Sequence, residues 1–336
     1  MPLFANPELT APVDLCLPDG RLNPAARGHS RRPLHRPNLS GWGRAKRWEY
    51  WGLVTPTHVL GLTLANLDVL SLQECFVLDR KTRQERSLPF AAPLGLGVRL
   101  PDTLPPLHAT GRSPRGSFDF TDVPARAGQP AGTRLRVRMG GVELDALVEA
   151  PGDVLGVVVP WSERLFQYTV KAPGCPVSGV LRVDGESFVI PEGQSWAVLD
   201  RGRGRWPHAI VWNWGAGSGV VAGKRMGLQL GAKWTAGTGA TENALFVDGV
   251  MHYLPDEVEW SYDTRRWESP WRMQGERLNV TLTPFHVRHA GVDLGLLGSD
   301  VHQAFGHWRG WVSDGDGTRH SVDGLVGWAE QADNRW

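Results

Sequence analysis

The stretch TRLRVRMGGVELDALVEA, Thr133 to Ala150, decides the fold class. Leu135 and Val137 alternate with Arg134, Arg136 and Arg138. Val142, Leu144 and Ala146 alternate with Glu143 and Asp145. Period-two alternation marks a strand with one buried and one wetted face. Between the two runs stands Gly140-Gly141, a pair suited to the positive φ angles of a two-residue hairpin turn. That turn sets Arg138 opposite Glu143, Arg136 opposite Asp145, Val137 opposite Leu144 and Leu135 opposite Ala146. Each charge pair contributes about 0.2–1 kcal/mol. The larger consequence is register, because a one-residue slip would exchange the two faces.

The same pattern extends through most of the chain. RWEYWGLVTPTHVLGLTLANLDVLSLQECFVLD, from Arg47, gives consecutive β-rich runs with short breaks. Val-Asp-Gly recurs at 183–185, 247–249 and 322–324, and the first two copies read as Asp-Gly hairpin turns. Forty-one glycines and 25 prolines work against long helices. Only WSERLFQY, Trp161 to Tyr168, suggests so much as a helical turn. Many short strands at this spacing predict an all-β protein built as sandwiches or barrels. Residues 1 to 43, rich in Pro, Arg and Gly, read as an extended basic arm. Such an arm either grips phosphates or lies across the body with its arginines paired to carboxylates.

With 336 residues the chain can bury a large core, and a net charge of +1 supplies no field to recruit nucleic acid or an anionic surface. No apolar run approaches the roughly 18 residues of a membrane span. The start of the chain lacks the basic and apolar regions of a signal peptide, so a cytoplasmic protein is expected. Cys16, Cys75 and Cys175 have neither disulfide nor zinc-knuckle spacing. Only five basic residues are lysine (Lys46, Lys81, Lys171, Lys224 and Lys233), a skew read here as compositional bias.

Common catalytic motifs fail. GSGVVA, Gly217 to Ala222, fits a loose dinucleotide fingerprint, but a strand-like run follows where a helix is needed. DGDGT at Asp314 lacks the later Glu of a calcium loop. His286 and His289 point to opposite faces of a strand, and His302 and His307 are no better placed. No metal and no cofactor are expected.

What remains is LDRGRGRWPHAIVWNWGAGSG, Leu199 to Gly219. In a strand starting at Ala209, Ile210, Trp212 and Trp214 share one face, with Val211 and Asn213 on the other. Downstream, Leu228, Leu230, Ala232 and Trp234 share a face opposite Gln229 and Lys233, and Glu242 and Asn243 lead into the next strand. Sixteen tryptophans against four tyrosines suit either the walls of an apolar ligand site or plain core filling. An acid in aromatic surroundings is desolvated and can deliver a proton near neutral pH. Asp200 is the first such candidate, with His208 to relay and Glu242 as a second acid. The competing reading pairs Asp200 with Arg201, Arg203 or Arg205 as a loop anchor.

These blocks, together with RGHSRRPLHRPNLSGWGRAKRWEYWGLVTP and the ending HQAFGHWRGWVSDGDG…GWAEQADNRW, resemble the domain-of-unknown-function 2804 family over nearly the whole chain. An Asp followed by a Trp and a W-x-W strand is also similar to the lipocalin-like superfamily of carotenoid hydratases and cyclases. That similarity implies two lipocalin-like (calycin) β-barrels, drawn here at residues 44–254 and 255–336, with the pocket in the first. It makes Asp200 the acid and Trp206, Trp212 and Trp214 the pocket aromatics, with Asn213, Gln229, Trp234 and Asn243 added as ligand-binding candidates from the local pattern. The departure is Gly-Arg-Gly-Arg between Asp200 and Trp206, where that superfamily tends to place Trp-Gly. The implied partner is a small apolar unsaturated molecule, hydrated, isomerised or cyclised. The alternatives are a non-catalytic carrier and a carbohydrate-active β protein. A homodimer is left open.

Overall fold

The computed structural model describes residues 6–102, 105–293, 295 and 298–335. The first five residues of the arm and the final Trp336 lie outside them. Among the described residues there is no α-helix, only one 3-10 turn at Pro24–Ala26. The strands form two curled antiparallel half-barrel sheets, of fourteen and ten strands, besides a two-stranded pairing within the arm.

The hairpin that opens the argument folds in the register its sequence dictates. Arg138 faces Glu143, Arg136 faces Asp145, Val137 faces Leu144 and Leu135 faces Ala146. The charged face is a lattice rather than two isolated pairs. Asp145 takes a two-point contact from Arg134, at 2.7 and 2.8 Å, and Glu143 meets Arg182 on the next strand. Both Asp-Gly turns close hairpins through left-handed backbones, with φ of 50° at Asp184 and at Asp248. The Trp161–Tyr168 segment makes no helical turn; bends lead directly into a strand from Phe166.

In chain order, strands from His29–Ser30 to Trp196–Arg205, apart from His35–Arg36 in the arm's own pairing, build the first sheet, and those from Ala209–Val221 to Val326–Arg335 the second. The sheet therefore changes at Trp206–His208, well before the expected barrel end at Leu254. The strands between 209 and 253 pair with the C-terminal strand rather than with the first sheet. The arm is ordered. His29–Ser30 adds to the strand Leu155–Pro160, while Leu15, Leu22 and Ala26 sink into the first half-barrel's core. Its Arg21, Arg31 and Arg36 pair with Asp19, Asp153 and Asp14.

Each half-barrel fills its own interior, the first with a large aliphatic and Phe cluster, the second around Trp271, Trp308 and Leu228. Between them lies a third layer, where the outer face of one sheet packs on the outer face of the other. Phe76 of the first sheet stacks on Phe305 of the second at 5.5 Å. Trp328 lies so close to the strand Ala45–Val54 that a Cβ at Gly52 would fall 2.3 Å from its ring. Only a residue without a side chain permits that approach.

Candidate active site

The strand Trp196–Arg205 carries the sequence LDRGRGR through its middle and end, and alternation sorts the charges. Arg201 and Arg203 point into the first half-barrel. Arg201 makes a two-point contact with Glu49 at 2.8 and 2.9 Å, and Arg203 donates to the carbonyls of Trp48, Gly202 and Pro101. Arg205 reaches the carbonyls of Gly20 and Ser40 in the arm. Asp200 has the other parity and faces the seam between the sheets. Asp200 is therefore not anchored by these arginines, and it lies outside the first half-barrel's interior, where the pocket was expected. Asp200 sits mid-strand, on the outer face.

Its partner is Lys171, whose Nζ stands 2.8 Å from Asp200 Oδ1. Lys171 comes from the long strand Phe166–Val183, directly opposite Asp200 and just before a register shift between Ala172 and Cys175. The ammonium also lies 4.6 Å from the centre of the Trp214 ring. Two further acids act on it electrostatically, Glu330 from the second sheet and Glu242 from the segment leading into the strand Ala244–Val247. Glu242 accepts from Trp234 Nε1 at 3.1 Å through Oε2, and its Oε1 is sealed from solvent. Glu330 accepts from Trp212 Nε1 and from Gln303 Nε2, each at 2.9 Å. One buried cation thus faces three carboxyl groups.

The electrostatic outcome follows from that imbalance. Burial pushes Glu242 up to about 7; Lys171 opposes the rise and Asp200 adds to it. Burial likewise pushes Glu330 up to about 7, against the Trp212 hydrogen bond and Lys171. Burial acts to lower Lys171, yet Asp200, Glu242 and Glu330 together hold it above the ordinary lysine range. A low-dielectric site cannot keep three anions on one ammonium, so protons remain on the glutamates near neutral pH.

Around these groups the indoles pack edge-on. Trp206 lies 5.0 Å from Trp48, 5.6 Å from Trp212 and 5.6 Å from Trp234, ring centre to ring centre. Trp161 joins the cluster and donates to the Trp234 carbonyl. Trp206 donates to Gln167, and Trp214 to Gln229. Several of these groups keep a little surface open: 12% of the Asp200 side chain, and 6–7% of Trp206, Trp214, Trp234 and Glu330. Apart from that small exposure, the acid group is enclosed by the side chains of the two sheets.

Of the residues expected from sequence, Asp200, Glu242, Trp206, Trp212, Trp214, Gln229 and Trp234 come together in the seam. Trp234 does so against its expected parity. Leu228 and Leu230 enter the second half-barrel's core, but the strand ends at Ala232 and Lys233 turns with φ 69°, sending Trp234 to the other side. Three residues lie elsewhere. His208 is exposed on the connector between the sheets. Asn213 faces the second half-barrel and donates to Tyr262 Oη. Asn243 ties Gly231 N to the Asp256 carbonyl. Lys171 and Glu330 were missed. Each left a signal: a scarce lysine in the apolar run QYTVKAP, and a glutamate amid GWAEQ.

The family model for the domain of unknown function DUF2804 matches residues 6–336. The chain belongs to this family. No curated protein matches the DUF2804 chain in sequence. Among solved structures, it is similar to kievitone hydratase from Nectria haematococca, with a TM-score of 0.53, 11% identity and coverage of 87% of this chain and 89% of that one. A putative AttH from Nitrosomonas europaea gives a TM-score of 0.53 at 16% identity, covering 96% and 98%. CghA with Sch210972 gives 0.53 at 12% identity, covering 87% and 88%. At such identities the DUF2804 chain shares the paired half-barrel fold with these proteins.

Proposed function

We propose that this DUF2804 protein is an acid–base lyase or isomerase that acts on a small apolar unsaturated molecule at the seam between its half-barrels. The observation that carries the reading is the single buried ammonium of Lys171 among Asp200, Glu242 and Glu330, walled by tryptophans. Glu242 is the general acid. Protonated near pH 7, it gives its proton to a carbon–carbon double bond. The cationic character that develops on the neighbouring carbon is met by indole faces and by the Asp200 carboxylate. In hydration, water adds to that carbon and gives up a proton, which returns to the Glu242 carboxylate. In isomerisation a neighbouring C–H bond supplies the electrons and its proton passes to the Glu242 carboxylate. In cyclisation an internal double bond closes the ring, and a C–H next to the new cationic carbon then gives its proton to Glu242. Lys171 keeps Asp200 in place as the counter-charge. Kinship in fold with a hydratase and with CghA supports this class.

The test uses the full-length protein in D₂O with a panel of polyenes and isoprenoid alcohols, read by mass spectrometry for deuterium uptake. Wild-type protein incorporates deuterium, and Glu242→Gln lowers the rate on the order of 10²–10⁴-fold. A molecule that co-purifies, binds Glu242→Gln and wild type equally and never exchanges would make the protein a carrier. Failure of every apolar probe to bind, with Glu242 and Glu330 titrating as ordinary carboxylates, would overturn both readings.

A further inference from the structure

At one end of the second sheet, two long strands run antiparallel as Leu278–Asp293 and Gly298–Ser313. Along either strand the histidines have incompatible parity, which is why the sequence suggested no metal. Across the strands they meet. His289 lies opposite His302, and Gly291 opposite Asp300, so these four positions share one face. We propose that His289, Asp300 and His302 form a binding site for one divalent transition-metal cation.

The donor atoms already converge, with one ligand atom from each residue lying within 4.8 Å of the others. His289 Nε2 stands 2.7 Å and His302 Nε2 3.7 Å from the same oxygen, Asp300 Oδ1. The two imidazoles stack at 4.2 Å, and His302 stacks in turn on Trp267 at 4.0 Å. That packing fixes the His302 ring and buries its Nδ1, leaving Nε2 as the outward nitrogen. Two imidazoles and a carboxylate, with remaining positions open to water, suit zinc, cobalt, nickel or copper rather than calcium or magnesium.

Two further features favour a bound cation over a simple His–Asp pair. Asp300 lies directly across the next strand pairing from Asp333, and Asp333 makes no ion pair among the described residues. Like charges placed opposite each other destabilise a sheet unless something neutralises them. Gly291 keeps the space over the donors free. A Cβ there would fall 3.3 Å from His289 Nε2 and 3.6 Å from Asp300 Oδ1, although the backbone at this position does not demand glycine.

Chelator-treated full-length protein titrated with Zn²⁺ or Co²⁺ in a calorimeter tests the site, with the cobalt visible spectrum as a second readout. One equivalent binds with micromolar affinity and raises Tm by about 2 °C. Asp300→Asn and His302→Gln each weaken that binding at least tenfold. Gly291→Val retains every donor but fills the space, and it weakens binding to a similar degree while the unliganded Tm stays near wild type. No binding below millimolar concentration overturns the proposal. So does an equivalent that survives intact in both Asp300→Asn and Gly291→Val.

Discussion

The first half-barrel's interior and the seam bury charge in opposite ways, although Arg201 and Asp200 are neighbours on one strand. Inside the half-barrel, Glu49 and Arg201 face each other one to one through a two-point contact, and burial lowers the neighbouring Arg203 to about 10. In the seam, one lysine serves three acids. Both regions are buried, but in the first Arg201 has a carboxylate of its own and Arg203 is met by backbone carbonyls, whereas in the seam the acids outnumber the one ammonium. A balanced pair is held as ions and contributes to structure. An unbalanced group retains protons that can be moved, and this separates a site from a buried salt bridge.

The sharpest way to break that comparison is to unbalance the balanced pair. Glu49→Ala leaves Arg201 charged and alone, and urea unfolding should show a loss of about 3–5 kcal/mol. If the loss is below about 1 kcal/mol, Arg201 has another counter-charge and the contrast dissolves.

Next in size is the pH dependence of the seam. Glu242 and Glu330 bind protons more tightly folded than unfolded, so between about 4.5 and about 7 the native state holds the extra protons. Their contribution to stability is complete below about 4.5 and is lost as pH rises through about 7. It amounts to roughly 3 kcal/mol for each glutamate taken alone. Glu242→Gln should remove its share of that slope and leave the variant relatively more stable at pH 8 than at pH 5. Because Trp234 and Trp212 donate to these carboxyls, intrinsic fluorescence should titrate with a midpoint near 7 and change in the variant.

Gly52→Ala tests whether the seam is as tightly closed around Trp328 as the half-barrels are within themselves. The added methyl meets the indole, and a cost of about 1–3 kcal/mol in thermal unfolding is expected. The smallest effect belongs to the exposed lattice. Arg134→Ala should cost about 0.2–1 kcal/mol, reduced further by salt.

Much of this was readable along the chain. The Gly140-Gly141 hairpin and the two Asp-Gly turns needed only local φ preferences and period-two burial, and they stand where those rules put them. The acids were legible in part. Asp200 and Glu242 are identifiable as carboxyls near tryptophans, but the local pattern does not show that Asp200 itself lies within a strand. Read as part of a strand from Trp196, alternation alone would have separated it from Arg201 and Arg203. Lys171 and Glu330 are separated from Asp200 by 29 and 130 residues, and nothing local marks them as its neighbours. The tryptophan at 234 escaped its parity because a left-handed residue, Lys233, precedes it.

By itself the sequence determined the strands, their turns and which side chains share a face, because φ preferences and alternating burial act over a few residues. The tertiary structure alone decided that two outer faces would meet and that Lys171, Asp200, Glu242 and Glu330 would be shut in together. It also brought His289 to His302. Those outcomes depend on which sheets pack and in what register, and electrostatic energies are set by distance in space, which spacing along the chain does not encode.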